Sequence, residues 1–215
     1  MTAHLIVNEI FHSIQGESAH AGRPCVFVRL TFCNLRCTYC DTEYAFHEGE
    51  SLEIPEILEK VRSFRCPLVE VTGGEPLVQK HVHDLLLSLC NEGFEVLLET
   101  GGSLDVSTVD PRVKRIVDFK CPGSGMEEHN LWSNVDHLSP QDEVKFVIGD
   151  RRDFDWSVGK IKLFNLESRC TVLLSSVFGE LQPVRLAEWI LEEGLRARLQ
   201  LQVHKYLWEP ETRGV

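Results

Sequence analysis

Strand-length apolar runs alternate with helical patterns along nearly the whole chain, and this alternation narrows the possible folds more than any other feature. Residues 25–30 (CVFVRL) read as a strand introduced by Gly22 and Pro24. Residues 52–64 carry Ile54, Ile57, Leu58, Val61 and Phe64 as a helical stripe, with Pro55 tolerated in the first turn. Residues 68–72 form a strand. Residues 81–93 form a helix with Val82, Leu85, Leu86 and Leu89 on one face and Gly93 as its stop. Residues 94–100, 115–120, 143–149 and 170–177 read as buried strands, 183–194 as a helix and 198–207 as a last strand. The pattern predicts about six βα units, and hence a mostly parallel sheet covered by helices. That falls short of the eight of a closed barrel. The expected architecture is therefore α/β, an open or partial (β/α)6 barrel in one domain over residues 1–215, with a doubly wound sheet as the second choice.

In either architecture the site lies at the carboxyl ends of the strands. The unusual motifs obey that rule. A cysteine-rich loop follows the strand ending at Leu30, TGGEP follows the strand ending at Val71, and ETGG and KCPGSG follow the next two. All four belong to one predicted face.

Charge and targeting signals limit the partners. The chain has 33 acidic and 22 basic residues, for a net charge of -11, which argues against loose binding along a nucleic-acid backbone. The N-terminus lacks a basic start followed by a long apolar run, and no segment approaches the ~20 apolar residues of a membrane span. A reducing cytoplasm is the expected compartment, so the eight cysteines do not read as four disulfides. Cys25, Cys66, Cys90, Cys121 and Cys170 lie far apart and read as buried free thiols.

Cys33, Cys37 and Cys40 instead cluster in TFCNLRCTYCDT (31–42) as a Cys-x3-Cys-x2-Cys run. A zinc-binding module would need a fourth ligand, such as His47 or Cys66, and usually a second two-ligand knuckle. Three unligated thiols in a polar loop would be prone to oxidation. A 4Fe–4S cluster normally takes four thiolates, and holding it with three leaves one iron open to a substrate or cosubstrate.

The spacing, with Tyr39 just before the last cysteine, is similar to that of the radical S-adenosylmethionine enzymes, and TGGEP (72–76) resembles their glycine-rich segment. This likeness implies that the open iron chelates S-adenosylmethionine and that a 5′-deoxyadenosyl radical takes hydrogen from the substrate. Four stretches together resemble the 7-carboxy-7-deazaguanine synthase family: EIFHSIQGES (9–18), VRLTFCNLRCTYCDTEYA (28–45), TGGEPL (72–77) and QVHKYLWEPETRGV (202–215). LLETGG and DFKCPGSG extend the likeness along nearly the whole chain. The family converts 6-carboxy-5,6,7,8-tetrahydropterin to 7-carboxy-7-deazaguanine with loss of ammonia, a lyase step in 7-deazapurine and queuosine biosynthesis. The resemblance implies a partial (β/α) barrel, a Mg2+ ion, a homodimer and an electron donor such as flavodoxin or ferredoxin. A glycyl-radical-enzyme activase would share the cysteine loop and small barrel, but would leave IQGE and the HKY…RGV end unexplained.

Carried onto this sequence, the resemblance assigns the cluster to Cys33, Cys37 and Cys40. It places Tyr39, Asp41, Gly74, Glu99 and Lys120 against S-adenosylmethionine, with Ser175 to Val177 near the adenosine. Thr42 would ligate Mg2+ through its hydroxyl, beside the substrate carboxylate. Gln15, Gly16, Glu17, Arg29, Thr72 and His204 would contact the pterin, with Arg29 paired to its carboxylate. Read without the family, Thr42 is a turn-capping hydroxyl, Arg29 a solvent-facing strand arginine, and His204 a core histidine in the last strand. Glu99 and Lys120 become ordinary ion-pair residues. No residue is singled out as a general base.

Overall fold

The computed structural model describes residues 3–215. The chain opens with β1 (His4–Ile14), which pairs antiparallel with β2 (Pro24–Leu30) and β3 (Glu50–Glu53). Then come α1 (Ile54–Ser63), β4 (Leu68–Gly73), α2 (Val82–Asn91), β5 (Glu95–Thr100), β6 (Lys114–Asp118) and β7 (Glu143–Ile148). The chain continues through α3 (Arg151–Leu163), β8 (Thr171–Ser176), α4 (Pro183–Glu193), β9 (Arg198–Gln200) and α5 (His204–Leu207). One sheet runs in the order β3-β1-β2-β4-β5-β6-β7-β8-β9, and it is parallel throughout from β2 to β9. This is the expected α/β architecture with a mostly parallel sheet.

Strand parity explains the layers, because side chains alternate between the two faces of a strand. Val26, Val28, Val69, Val71, Val96, Leu98, Val117, Val144, Phe146, Val172 and Leu174 are buried in one core with the apolar stripes of the helices. Those stripes are Ile57 and Val61 of α1, Leu85 and Leu89 of α2, Phe154 and Ile161 of α3, and Leu186 and Ile190 of α4. Full burial of each such side chain contributes about 1.5–3 kcal/mol. The opposite parity carries Arg29, Glu70, Thr72, Glu99, Lys145 and Ser175, which face the barrel interior. The interior therefore carries a polar site towards the carboxyl ends of the strands, with Phe27, Leu97 and Leu173 buried at the same parity nearer their starts.

The helix count departs from the expectation. Six connections join the seven parallel strands, but only four contain an α-helix. Between β5 and β6 the chain is irregular, and between β6 and β7 it forms short 3-10 turns. There Trp132 stacks on Phe119 at 4.5 Å and on Phe164 at 4.8 Å, so one aromatic covers the sheet where a helix would lie.

Three further corrections have physical reasons. The last strand is only Arg198–Gln200, and His204 begins the one-turn α5 instead of lying in a strand. The chain leaves the sheet edge because Val203 N–H bonds to Gly16 O at 2.9 Å, drawing it toward the β1–β2 turn. β1 and β3 pair outside the βα rhythm that guided the reading. α3 falls where the count of βα units requires a helix but was not itself delimited from the sequence, and Phe154, Val158 and Ile161 form its buried stripe. Of the scattered cysteines, Cys25, Cys66 and Cys121 are buried, Cys90 and Cys170 are partly buried, and all are free. Among the described residues no helix is long and apolar enough to cross a membrane.

Candidate active site

The cysteine loop leaves β2 at Thr31 and runs irregularly to a 3-10 turn at Glu43–Phe46. Backbone bonds fix it on both sides. Thr31 N–H donates to Ile6 O at 3.0 Å and Phe32 N–H to Ala45 O at 2.9 Å. The turn after β4 grips it from behind, with Gly74 N–H on Leu30 O at 3.1 Å and Glu75 N–H on Phe32 O at 2.7 Å. A Cβ at Gly73 would lie 2.1 Å from Leu30 O, and one at Gly74 would lie 2.1 Å from Phe32 O. The space these glycines leave is thus filled by the cysteine loop, although Gly74 also reaches the cavity wall. Across the loop, Thr38 donates N–H to Ser124 O at 3.1 Å and Oγ1–H to Gly123 O at 2.8 Å, anchoring it to the turn after β6.

Burial pushes the Cys33, Cys37 and Cys40 thiols up. The Leu35 N–H, the Lys120 charge and the Thr42 N–H oppose it at the three positions in turn. Metal binding here therefore displaces protons. Among the described residues no three His, Cys, Asp or Glu side chains converge as ligands of a single ion. The three cysteines nevertheless share one cavity wall. A closed zinc site needs its ligands around one point, whereas the thiolates of a cubane cluster each take a different iron. The donor set therefore fits a cluster better than zinc. Beside it, the Tyr39 hydroxyl and Asp118 Oδ1 are buried without a hydrogen-bond partner, which marks the wall as built for a polar ligand.

The cavity measures about 1040 Å³, the upper end of the range for small-molecule sites and large enough for two ligands. His47 and Cys66 do not line it, whereas every residue that the resemblance assigns to the site lies on its wall: Gln15, Gly16, Glu17, Arg29, Cys33, Cys37, Tyr39, Cys40, Asp41, Thr42, Thr72, Gly74, Glu99, Lys120 and His204. Ser175, Ser176 and Val177 join them.

The β1–β2 turn carries Gln15, Gly16 and Glu17 to the end of β9. Gly16 has no side chain because the His204 ring occupies that space: a Cβ there would sit 2.1 Å from Nδ1. Glu17 accepts from Lys145 Nζ at 2.6 Å, Gln200 Nε2 at 2.9 Å and Gln202 Nε2 at 3.0 Å. Burial alone would raise Glu17, but the Lys145 charge beside it prevails and holds it below the ordinary range. Gln15 donates to Glu70, which has no cation of its own. Burial, then the nearby Glu99 and Glu17 carboxylates, push Glu70 well above the ordinary carboxylate range.

Arg29 is not a solvent-facing arginine. A bulge in β1 between Val7 and Glu9 sets Glu9 opposite it, and Arg29 Nε donates to Glu9 Oε1 at 2.7 Å. That bond uses only Nε and leaves the terminal nitrogens for a carboxylate. Tyr44 donates to the same Glu9 oxygen at 3.0 Å, and Arg213 of the C-terminal segment lies 3.8 Å over the Tyr44 ring. Thr42 donates to Asp41 Oδ1 at 2.9 Å, and the Asp41 carboxylate pairs with Lys205 at 2.7 Å. Lys120 pairs with Asp118 at 2.8 Å, and Glu99 pairs with Lys145 at 2.6 Å. Both therefore form ion pairs while lining the site.

Sequence reasoning missed Glu70, Asp118, Lys145, Gln200, Gln202 and Lys205, all of which line the cavity or bond directly to residues that do. A signal was present. Glu70-x-Thr72, Asp118-x-Lys120 and Glu143-x-Lys145 put polar groups at one parity of otherwise apolar strands.

A family model described as "Radical SAM superfamily" matches residues 27–174. A 7-carboxy-7-deazaguanine synthase of Chlorobaculum tepidum is 47% identical over 216 residues, covering 99% of this chain and 98% of that protein. Another, from Koribacter versatilis, is 42% identical over 97% of this chain and 99% of its own. Among solved structures, QueE from Escherichia coli superposes with a TM-score of 0.77 at 22% identity, over 94% of this chain and 95% of that one, a likeness of fold.

Proposed function

The chain belongs to the 7-carboxy-7-deazaguanine synthase family of the radical SAM superfamily, and we propose that it converts 6-carboxy-5,6,7,8-tetrahydropterin to 7-carboxy-7-deazaguanine with loss of ammonia. One observation carries this reading. The cysteine loop, the IQGE turn and the HKY segment come from distant parts of the sequence and face a single cavity at the carboxyl ends of the strands.

In this reading Cys33, Cys37 and Cys40 hold the cluster, and Tyr39, Asp41, Gly74, Glu99 and Lys120 surround the cosubstrate. When bound, the cluster and S-adenosylmethionine supply the radical that takes a hydrogen atom from the pterin. The protein's own part is binding and orientation. Arg29, braced by Glu9, offers its free terminal nitrogens to the substrate carboxylate. The hydroxyl of Thr42 lines the same cavity and suits a Mg2+ ion that shares that carboxylate, since Mg2+ takes hard oxygen ligands and keeps waters. Glu17 presents a charged acceptor to the N–H edge of the 2-amino-4-oxo ring, with Gln15, Thr72 and His204 around it. Fixing both ends of the pterin limits the substrate radical to one rearrangement. A low-potential donor of the flavodoxin or ferredoxin type, a homodimer and a cytoplasmic setting belong to the same proposal.

The test is an anaerobic incubation of the cluster-loaded protein with the carboxytetrahydropterin, S-adenosylmethionine, Mg2+ and reductant. Formation of 7-carboxy-7-deazaguanine, detected by mass, supports the reading. Its absence with an intact cluster sinks it. Omitting Mg2+ and adding chelator tests the ion separately.

A further inference from the structure

The cavity floor holds more carboxylates than free cations. Glu17, Glu70, Glu99 and Asp118 face it from the β1–β2 turn, β4, β5 and β6. Lys145 of β7 stands among them, its ammonium 2.6 Å from Glu17 Oε2, 2.6 Å from Glu99 Oε1 and 3.9 Å from Asp118 Oδ2. Asp118 already has Lys120. Arg29, the next cation on the wall, is engaged by Glu9. Lys145 is therefore the cation that joins the pterin side of the cavity to the cosubstrate side.

We propose that Lys145 is the positioning residue of the pterin site: its ammonium holds Glu17 as a charged acceptor facing the cavity and ties it to Glu99. This rests on the pterin reading given above. The chemistry demands a charged Glu17, because the 2-amino group and N3–H of the pterin both donate. Of the roughly four acceptor sites of a carboxylate, Lys145, Gln200 and Gln202 occupy three, so one ring donor takes the free site and the second replaces a glutamine amide, and charge-assisted bonds are about twice as strong as neutral ones. A carboxylic acid presents a donor where an acceptor is needed.

Stability alone does not explain a lysine here. A buried ion pair is often no more stable than apolar residues of the same volume, and every neighbouring strand supplies such residues at its other parity. Lys145, His204 and Glu70 act on Glu17 directly, and Glu99, Asp118, Lys205, Asp41 and Arg29 line the same cavity. With Lys145 removed, carboxylates on three adjacent elements face one another and a proton must be taken up. Burial and the neighbouring carboxylates already push Glu70 up, and the Lys145 charge that holds Glu17 low would be gone.

The experiment measures the Kd of 6-carboxy-5,6,7,8-tetrahydropterin for the cluster-loaded protein, anaerobically and without reductant, across pH 6 to 9 (about the range in which such a carboxyl would titrate). The quantity read is the ratio of variant to wild-type Kd, which cancels titration of the pterin itself. For Lys145→Met the ratio is expected to be about tenfold or more at the acid end. It should fall as pH rises, with a slope approaching about tenfold per pH unit where Glu17 must lose a proton to bind. Lys145→Arg keeps the charge, and its ratio should stay constant with pH. A Lys145→Met ratio near one, or one that does not change with pH, overturns the inference, since a merely structural role gives no pH trend. If Lys145→Met does not fold, Glu99→Gln decides. It leaves Lys145 to Glu17 and the more distant Asp118, so its ratio should be independent of pH, and a ratio rising toward acid overturns the inference. A wild-type protein that does not bind the pterin overturns the pterin reading and this inference with it. A binding wild type with an unchanged Lys145→Met variant overturns this inference alone.

Discussion

Replacing Gly74 with alanine should dislodge the cysteine loop while leaving the rest of the barrel standing. Gly74, unlike Gly73 at φ +144°, does not occupy the left-handed region, so alanine meets no backbone penalty there. The effect is steric. The new methyl would lie 2.1 Å from Phe32 O, 2.6 Å from Phe32 C and 2.9 Å from Cys33 Cβ. Ordinary contact begins near 3.4 Å. The obstruction is backbone, so the loop must retreat by roughly an ångström rather than a side chain turning aside. That movement breaks the bonds from Gly74 N–H to Leu30 O and from Glu75 N–H to Phe32 O. Two lost hydrogen bonds cost about 2 kcal/mol and overpacking about 1–3, for a total of about 3–5 kcal/mol. The assay is urea denaturation of the cluster-free protein together with iron and sulfide per chain after anaerobic reconstitution. Gly74→Ala should lose stability by that amount and bind far less than a full cluster. Gly93→Ala is the control. Gly93 has φ +86° and open space around it, so alanine should cost only about 1–2 kcal/mol and leave the cluster complete. A Gly74→Ala protein with full iron and unchanged stability would refute the packing argument.

Cys40→Ala should lose the cluster, its visible absorbance and all turnover, and retained product formation would contradict the ligand assignment. Asp142→Asn should cost about 3–5 kcal/mol in urea denaturation, because it leaves Arg115 buried without its bidentate partner (Nε at 3.1 Å and an amine at 2.6 Å). Asp142 also gives a pH signature. Burial would raise it, but hydrogen bonds from Arg115 and Ser139 prevail and hold it low. Its contribution is therefore complete above the ordinary carboxylate value of about 4 and is lost as pH falls through the lower folded value, so the acid limb should flatten in Asp142→Asn. Glu75→Gln should cost about 1–3 kcal/mol by thermal melt, since the buried carboxylate accepts from Leu77 N at 2.9 Å, Gly101 N at 2.7 Å and Thr100 Oγ1, and an amide nitrogen can accept none of these.

The parallel strands and their motifs were legible because two signals agreed. Apolar runs of strand length ended where chemistry-bearing residues began, and a parallel sheet puts those ends on one face. β1 was not legible as part of the sheet. Its residues His4–Ile14 lie before the first βα unit, and no local cue says that they pair with both β2 and β3. α5 was hidden because Arg198–Leu207 alternates like a strand, and the turn at Val203 depends on a carbonyl at Gly16, far away in sequence. Among the site residues, the cysteines could be named from local sequence, and Arg29 only through the family resemblance. Lys145 and Glu70 could not be assigned work, because their meaning lies in partners on other strands.

The two ends of the chain owe their place in the site to the same physical cause. The parallel strands alone give a polar trough with a cysteine loop at one rim, and such a trough suits many substrates. Selectivity comes from elements outside the βα rhythm. The bulge in β1 brings Glu9 to Arg29 and so aims a guanidinium. The turn after β1 brings Glu17 to Gln200, Gln202 and Lys145. The α5 turn sets His204 in the space that Gly16 leaves, while Arg213 covers Tyr44. Each contact joins residues far apart in sequence, so the part of the cavity proposed for the ring forms only when the sheet has closed on both ends. The cluster loop, by contrast, is held by Ile6 of β1 and by the turns after β4 and β6, without the C-terminal segment. Loss of the terminal contacts should therefore weaken pterin binding while leaving the cluster in place, which separates the part of the site common to the superfamily from the part that belongs to this reaction.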